Sequence, residues 1–358
     1  MICQNWYFEH KSVLQIALSM FGILQLLPAL NAATATATGN LNAFDTAPRC
    51  TLKPIPPKER LVGIAYSTWH QNRNWTHVWG TPELGFYRSD DTSVIRRHAQ
   101  WLSDAGVDFI WIDWSNDLHY SYNPATPRPD FDMIEDSTFE IFNQYSHMRA
   151  KGEKTPKISI FIGNPDDPSA ISDGKLQRKA DQVWDQFESN PVYRPLIQHY
   201  LGKPLLVVYV NTPSPYQNGV PTWNDPRFTV RYMTGFITQQ PNLRTDDLVS
   251  KFGYWSWEDR GPQTYSVYNE QPESMTIVAA WRNDPAAPSP GRKNGETFHK
   301  EWDRARRVGP KFALVVSWNE WTNGEQPSAD VSKDIEPSRE FGHKYLDQLK
   351  AEITAFKK

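Results

Sequence analysis

Cysteine is nearly missing from this sequence: 358 residues contain two, Cys3 and Cys50. With the N-terminal segment removed, as argued below, Cys50 stands alone and no intrachain disulfide can form. A chain this long can bury a core large enough to do without one. Neither sign of charge is in excess, with 38 basic and 41 acidic residues, a net charge of −3 and no block of like charge. Nucleic acid and anionic membrane surfaces are therefore not expected as partners. HExxH, CxxC, GxSxG and P-loop signatures are all lacking, which argues against the commonest zinc, thiol-redox, serine-hydrolase and nucleotide chemistries. The acidic pair Asp166-Asp167 and the trio Asp330, Asp334 and Glu336 have no EF-hand spacing. No metal or other cofactor is expected.

What is present in excess is aromatic: 15 Trp, 15 Tyr and 17 Phe, 13% of the chain. Such content serves either a large core or a cleft that stacks sugars. The N-terminus has the form of a secretory signal, with Lys11 before an apolar run over 13–27, then Pro28 and the small residues around Ala32 and Ala33. That run is shorter than the roughly 20 apolar residues of a membrane span. The expectation is a cleaved signal over 1–33, with a signal anchor as the alternative, and a secreted product that leaves the membrane. Asn74-Trp75-Thr76 is a glycosylation sequon. Residues 34–59, Ala/Thr-rich and then Pro/Lys-rich, read as a linker or N-terminal arm.

From residue 60 to 358 the chain reads as one domain. Eight strand-like runs, at 61–66, 107–112, 157–162, 205–210, 228–233, 253–257, 275–280 and 312–318, alternate with helix-like or irregular stretches. The clearest helices are 93–104, 138–150, 175–188, 296–307 and 339–356. In the first, Asp91 or Thr92 supplies the N-cap and Gly106 the stop. Eight alternating strands and helices predict an α/β fold, a (β/α)8 barrel with long βα loops and a monomeric state.

In such a barrel the residues just past each strand gather at one mouth. They are Tyr66, Trp69 and His70; Asp113 and Trp114; Asn164; Trp257 and Glu258; Trp281; and Trp318, Asn319, Glu320 and Trp321. Carboxylates among indoles suit carbohydrate chemistry, because indoles stack on pyranose faces and carboxylates handle protons and positive charge at the anomeric carbon. Each has a structural alternative: Asp113 can cap its own turn, Glu258 can pair with Arg260, His70 can bond backbone, and Asn319 can be a turn amide.

Two stretches are similar to glycoside hydrolase family 99 and its relatives. One is Gly85-Phe86-Tyr87-Arg88-Ser89-Asp90-Asp91 with Val94-Ile95-Arg96-Arg97-His98 and Ala105-Gly106-Val107-Asp108. The other is Ser317-Trp318-Asn319-Glu320-Trp321 with Gly324, Ile335-Glu336-Pro337 and Phe341-Gly342-His343-Lys344-Tyr345-Leu346. The matches bracket residues 85–346. The resemblance implies a (β/α)8 barrel, an endo-α-1,2-mannosidase or mannanase relative, and a retaining route. In that route one Glu deprotonates the substrate 2-hydroxyl and a second, three residues later, is the general acid/base. Glu320 matches the first. The second falls on Asn323, which cannot ionise, so the partner of Glu320 is sought among Glu258, Asp113 and Glu325. The expected function is hydrolysis of a glycosidic bond in a polysaccharide or glycan, and the alternatives are a non-catalytic glycan-binding barrel or a protein of polysaccharide biosynthesis.

Overall fold

The computed structural model describes residues 52–71, 75–115, 117, 129–164, 169–210, 220–322 and 328–358. The expected signal, most of the arm, and Asn74, Asn116, Asp166, Asn211, Asn323 and Glu325 lie outside the described residues.

In chain order the elements are β1 (Leu61–Tyr66), α1 (Thr92–Ala105), β2 (Phe109–Trp114), α2 (Pro129–Ala150), β3 (Lys157–Asn164), α3 (Ser169–Ser172), α4 (Lys175–Val183), β4 (His199–Tyr200), β5 (Lys203–Val210), β6 (Thr229–Thr234), β7 (Trp255–Ser256), β8 (Tyr265–Tyr268), β9 (Gln271–Val278), α5 (Glu296–Val308), β10 (Phe312–Val316) and α6 (Lys344–Phe356). All eight expected strands are there. The sheet runs β7-β6-β5-β3-β2-β1-β10-β9-β8, so the first and last parallel strands lie side by side. Among the described strands, β4 and β8 are the ones that pair antiparallel, with β5 and β9. The result is a nearly closed barrel of mostly parallel strands.

The seam lies between β7 and β9, where side chains take over from the backbone ladder. Glu273 of β9 accepts from the Trp255 indole of β7 at 2.8 Å and from Arg231 of β6 at 2.8 Å. The Thr276 hydroxyl of β9 donates to the Ser256 carbonyl of β7. Helices do not follow every strand. Among the described residues, β6 reaches β7 through 3-10 turns alone, and β8 fills the link from β7 to β9.

The strands are apolar on both faces because both are covered. Val62, Ile64 and Tyr66 of β1 and Ile110, Ile112 and Trp114 of β2 point outward into the helix layer. Phe109 and Trp111, Phe161, Val207, Phe312, Leu314 and Val316 fill the barrel interior. Gly63 is required there, since a Cβ on it would lie 2.4 Å from the Phe109 ring.

Helix ends follow local chemistry. Asp91 caps α1 by accepting from Ser93 N, and Gly106, at φ 86°, ends it. Helix α6 starts at Lys344 rather than 339. Residues 52–59, expected as part of the arm, pack against the barrel: Ile55 N–H donates to the Gly309 carbonyl at 2.9 Å, and Arg60 Nε donates to the Ile55 carbonyl at 2.9 Å.

Candidate active site

Strand β10 stops at Val316, and the turn behind it is organised by one buried carboxylate. Asp334 accepts from Glu320 N at 2.5 Å, Trp321 N at 3.1 Å, Ser317 Oγ at 2.9 Å and Ser332 Oγ at 2.6 Å. This holds the Glu320 side chain in the wall of a cavity of about 260 Å³. Beside it stands Lys333, whose loop is tied back to the strand end by Ile335 N–H donating to the Ser317 carbonyl at 3.0 Å. The wall also contains Trp79, Tyr209, Phe236, Trp257, Glu258, Arg260, Trp281, Arg282 and Val331. They come from the C-terminal ends of β5, β6, β7, β9 and β10 and from the loop after β1, the mouth at which barrels place their chemistry.

The charges form a chain. Lys333 Nζ lies 2.8 Å from Glu258 Oε2 and 3.0 Å from Glu320 Oε2. Those two distances laid end to end bound the separation of the two oxygens at 5.8 Å. Arg260 holds the other Glu258 oxygen, Nε to Oε1 at 3.0 Å, and reaches Asp284 at 3.0 Å. The Lys333–Glu258 contact is a hydrogen bond, while the Lys333–Glu320 contact is an ion pair off the hydrogen-bond direction.

Burial pushes the Glu258 carboxyl up, but Lys333 and Arg260 outweigh it and hold the group below its usual range. At Glu320 burial prevails over Lys333, helped by Asp334 and Glu258, and the carboxyl is raised. Asp113 is pushed up to about 6 by burial, against the Ser115 N–H that it caps, with Glu320 raising it further. Burial and then Asp113 push the Tyr209 hydroxyl up to about 12. The site thus holds an anchored anion, Glu258, beside a carboxyl that keeps its proton more readily, Glu320, and Asp113 stands within electrostatic reach of Glu320.

Comparison with solved structures bears on this geometry. A GH99 endo-α-mannosidase from Bacteroides thetaiotaomicron in complex with Bis-Tris propane superposes with a TM-score of 0.54 at 14% identity, over 82% of this chain and 96% of that one. A further structure of the GH99 endo-α-mannosidase from that organism gives 0.54 at 13%, over 82% and 97%. A glycoside hydrolase-like protein gives 0.51 at 15%, over 87% and 98%. The chain shares the GH99 fold. No family model matches the sequence, and no curated protein matches it.

Of the residues expected at the mouth, Glu320, Glu258, Trp257 and Trp281 line the cavity. The Trp257 ring lies parallel to Phe161 at 5.4 Å, with Lys333 Nζ 5.5 Å from its centroid. The Glu258–Arg260 pair, foreseen as a surface alternative, exists but is buried. Glu325 and the Asn164 side chain lie outside the described residues.

The others correct the sequence expectation, because the scaffold uses them. Tyr66 and Trp114 lie on the outward face, where the Tyr66 hydroxyl meets His98 Nδ1 at 2.8 Å and the Trp114 indole donates to Thr138 at 2.8 Å. Trp318 was expected within the strand. The chain leaves the extended form after Val316, and the ring packs on His98 and Trp101 of α1. The Trp321 indole donates to Glu336 at 2.5 Å, where Tyr87 also donates at 2.8 Å. Asn319 bonds both backbone polar groups of Ser67, at 2.8 and 3.0 Å. His70 is wholly buried, with Nε2 2.7 Å from the Asn319 carbonyl and its ring stacked on Trp75 at 4.2 Å. Trp69 packs on the helix-layer core instead of the cavity.

Sequence reasoning missed Trp79, Tyr209, Phe236 and Lys333. Trp79 is delivered by a loop whose backbone N–H donates to the Trp321 carbonyl at 2.9 Å. Lys333 sits three residues before Glu336 in the stretch that resembles family 99, and that position was the available signal.

Proposed function

We propose that this protein is a glycoside hydrolase of a polysaccharide or oligosaccharide, with Glu320 as the proton-carrying carboxyl and Glu258 as its ionised partner. The observation that carries this reading is the pair of buried carboxylates sharing Lys333 in a cavity walled by Trp79, Trp257 and Trp281. A division into one anchored anion and one readily protonated acid is what glycosidic cleavage needs. Lys333 bridges the pair, so their facing oxygens lie no more than 5.8 Å apart, close enough for both carboxyls to serve one glycosidic bond. With Asn323 at the position of the family's second Glu, the partner carboxylate comes from the loop after β7 instead. The likeness to an endo-α-mannosidase and to a glycoside hydrolase-like protein supports a carbohydrate substrate. The N-terminal leader supports export.

Asn323 also favours a second reading, a glycan-binding barrel without turnover. Reducing-sugar release across a panel of polysaccharides separates the two. Turnover that is abolished in Glu320→Gln supports hydrolysis. Binding without turnover, indifferent to that substitution, supports the second reading.

A further inference from the structure

Two carboxylates this close compete for one proton, and what surrounds them decides which keeps it. The surroundings here are unequal. Glu258 has a cation on each oxygen, Arg260 Nε at 3.0 Å and Lys333 Nζ at 2.8 Å. Among the described residues, the cation on Glu320 is Lys333, at 3.0 Å and off the hydrogen-bond direction. Lys333 is 5% exposed and cannot swing away to water without losing both partners. Its backbone is held as well, by its own carbonyl accepting from Ser317 N at 3.4 Å and by the Asp334 clamp next in sequence. Among the described residues, the other charged or titratable groups that face the pair are Asp113 of β2, Tyr209 of β5, Arg260 of the loop after β7 with Asp284 on its far side, Arg282 of the loop after β9, Glu301 of α5, which feels Glu258, and Asp334 on the lysine's own loop. Among the described residues, Lys333 is the cation that contacts both carboxylates.

We propose that Lys333 is a positioning residue that decides which carboxylate holds the proton, keeping Glu258 as the anion and leaving Glu320 as the proton carrier. This rests on the hydrolase reading for its consequence in turnover, but the proton placement itself is a property of the unliganded protein. In this role Lys333 transfers no proton. It acts through the difference between its two contacts. An opposite charge within 4–6 Å depresses a carboxyl by about 1–3 pH units, so its removal is large enough to reorder the pair.

The test is a carboxyl 13C NMR titration of the full chain labelled in glutamate, with the Glu258 and Glu320 signals assigned by their loss in Glu258→Gln and Glu320→Gln. In Lys333→Met the Glu258 midpoint rises by about one pH unit or more, and by more than that of Glu320. Lys333→Arg restores the wild-type order. Lys333→Gln, neutral but of similar reach and still able to donate a hydrogen bond, makes the same prediction and keeps the test open if Lys333→Met does not fold. On any polysaccharide of the panel that is turned over, the acid limb of the kcat/KM profile moves up in Lys333→Met, whereas a merely structural role lowers kcat with both limbs in place. Midpoints unmoved in Lys333→Met, or in Lys333→Gln where the former does not fold, overturn the proposal. Midpoints that move in a protein that cleaves nothing on the panel uphold the role of Lys333 and count against the hydrolase reading.

Discussion

The Asp334 carboxylate accepts the Glu320 backbone N–H at 2.5 Å and so fixes the residue that carries the proposed chemistry. Three more donors converge on the same carboxylate. Asp334→Asn offers one acceptor oxygen in place of two and strands at least one buried donor. A loss of about 2–4 kcal/mol in unfolding free energy is expected, from charged hydrogen bonds of about 1.5–3 kcal/mol each. Urea unfolding followed by tryptophan fluorescence measures it, and an unchanged midpoint would remove Asp334 from the scaffold of the site.

Glu320→Gln preserves shape and removes the proton carrier. General acid–base groups contribute about 10²–10⁴-fold, and a rate loss in that range is expected with stability nearly unchanged. Initial rates of reducing-sugar release, with a thermal melt as control, check both halves.

The tryptophans divide by location. Trp318 is fully buried beneath α1, so Trp318→Ala costs about 3–5 kcal/mol of stability. Trp257 is half-buried in the cavity wall, and Trp257→Ala weakens oligosaccharide affinity about 2–10-fold, the worth of one stacking contact of about 0.5–1.5 kcal/mol. Calorimetric titration set against unfolding curves tells the two apart; equal destabilisation by both variants would contradict the assignment.

Asp113 has its carboxyl raised from 3.8 to about 6. The folded state therefore holds this proton after the unfolded chain has released it. Stability from this group is present below pH 4 and is lost as pH rises through 6. Asp113→Asn removes the dependence, so the variant gains on the wild type by roughly 3 kcal/mol between pH 4 and 7, at about 1.36 kcal/mol per unit. Denaturation curves at a series of pH values measure the gain, and a constant difference across that window would refute it.

His70 works in the opposite direction. Burial lowers it from 6.5 to about 4, so the unfolded chain takes up a proton that the folded state refuses. Its contribution is present above pH 6.5 and is lost as pH falls through 4, roughly 3 kcal/mol in all. His70→Gln keeps a donor for the Asn319 carbonyl and should flatten the acid side of the stability profile. A histidine NMR titration with a midpoint near 6.5 at this position would end the argument.

The sequence alone determined the barrel. Strand-like runs of apolar and β-branched residues, with 312–316 apolar on both faces, marked all eight parallel strands, and Asp91 and Gly106 marked the ends of α1. The period of two groups Tyr66 with Ile64 and Trp114 with Ile112, but both were expected at the mouth, and it was the structure that showed their shared face to be the outer one. The strands and helix ends are legible because strand alternation and helix capping are set by neighbours a few residues apart. The proposed pairing in the site was not legible in that way. Lys333 meets Glu258 across 75 positions, and Trp79 reaches the wall on a loop stitched to Trp321. No periodicity reports a contact between two loops, since their distance depends on how the whole barrel curves and closes. Only the tertiary structure, by bringing the ends of β7 and β10 to one rim, made a pair of the two glutamates and set a lysine between them.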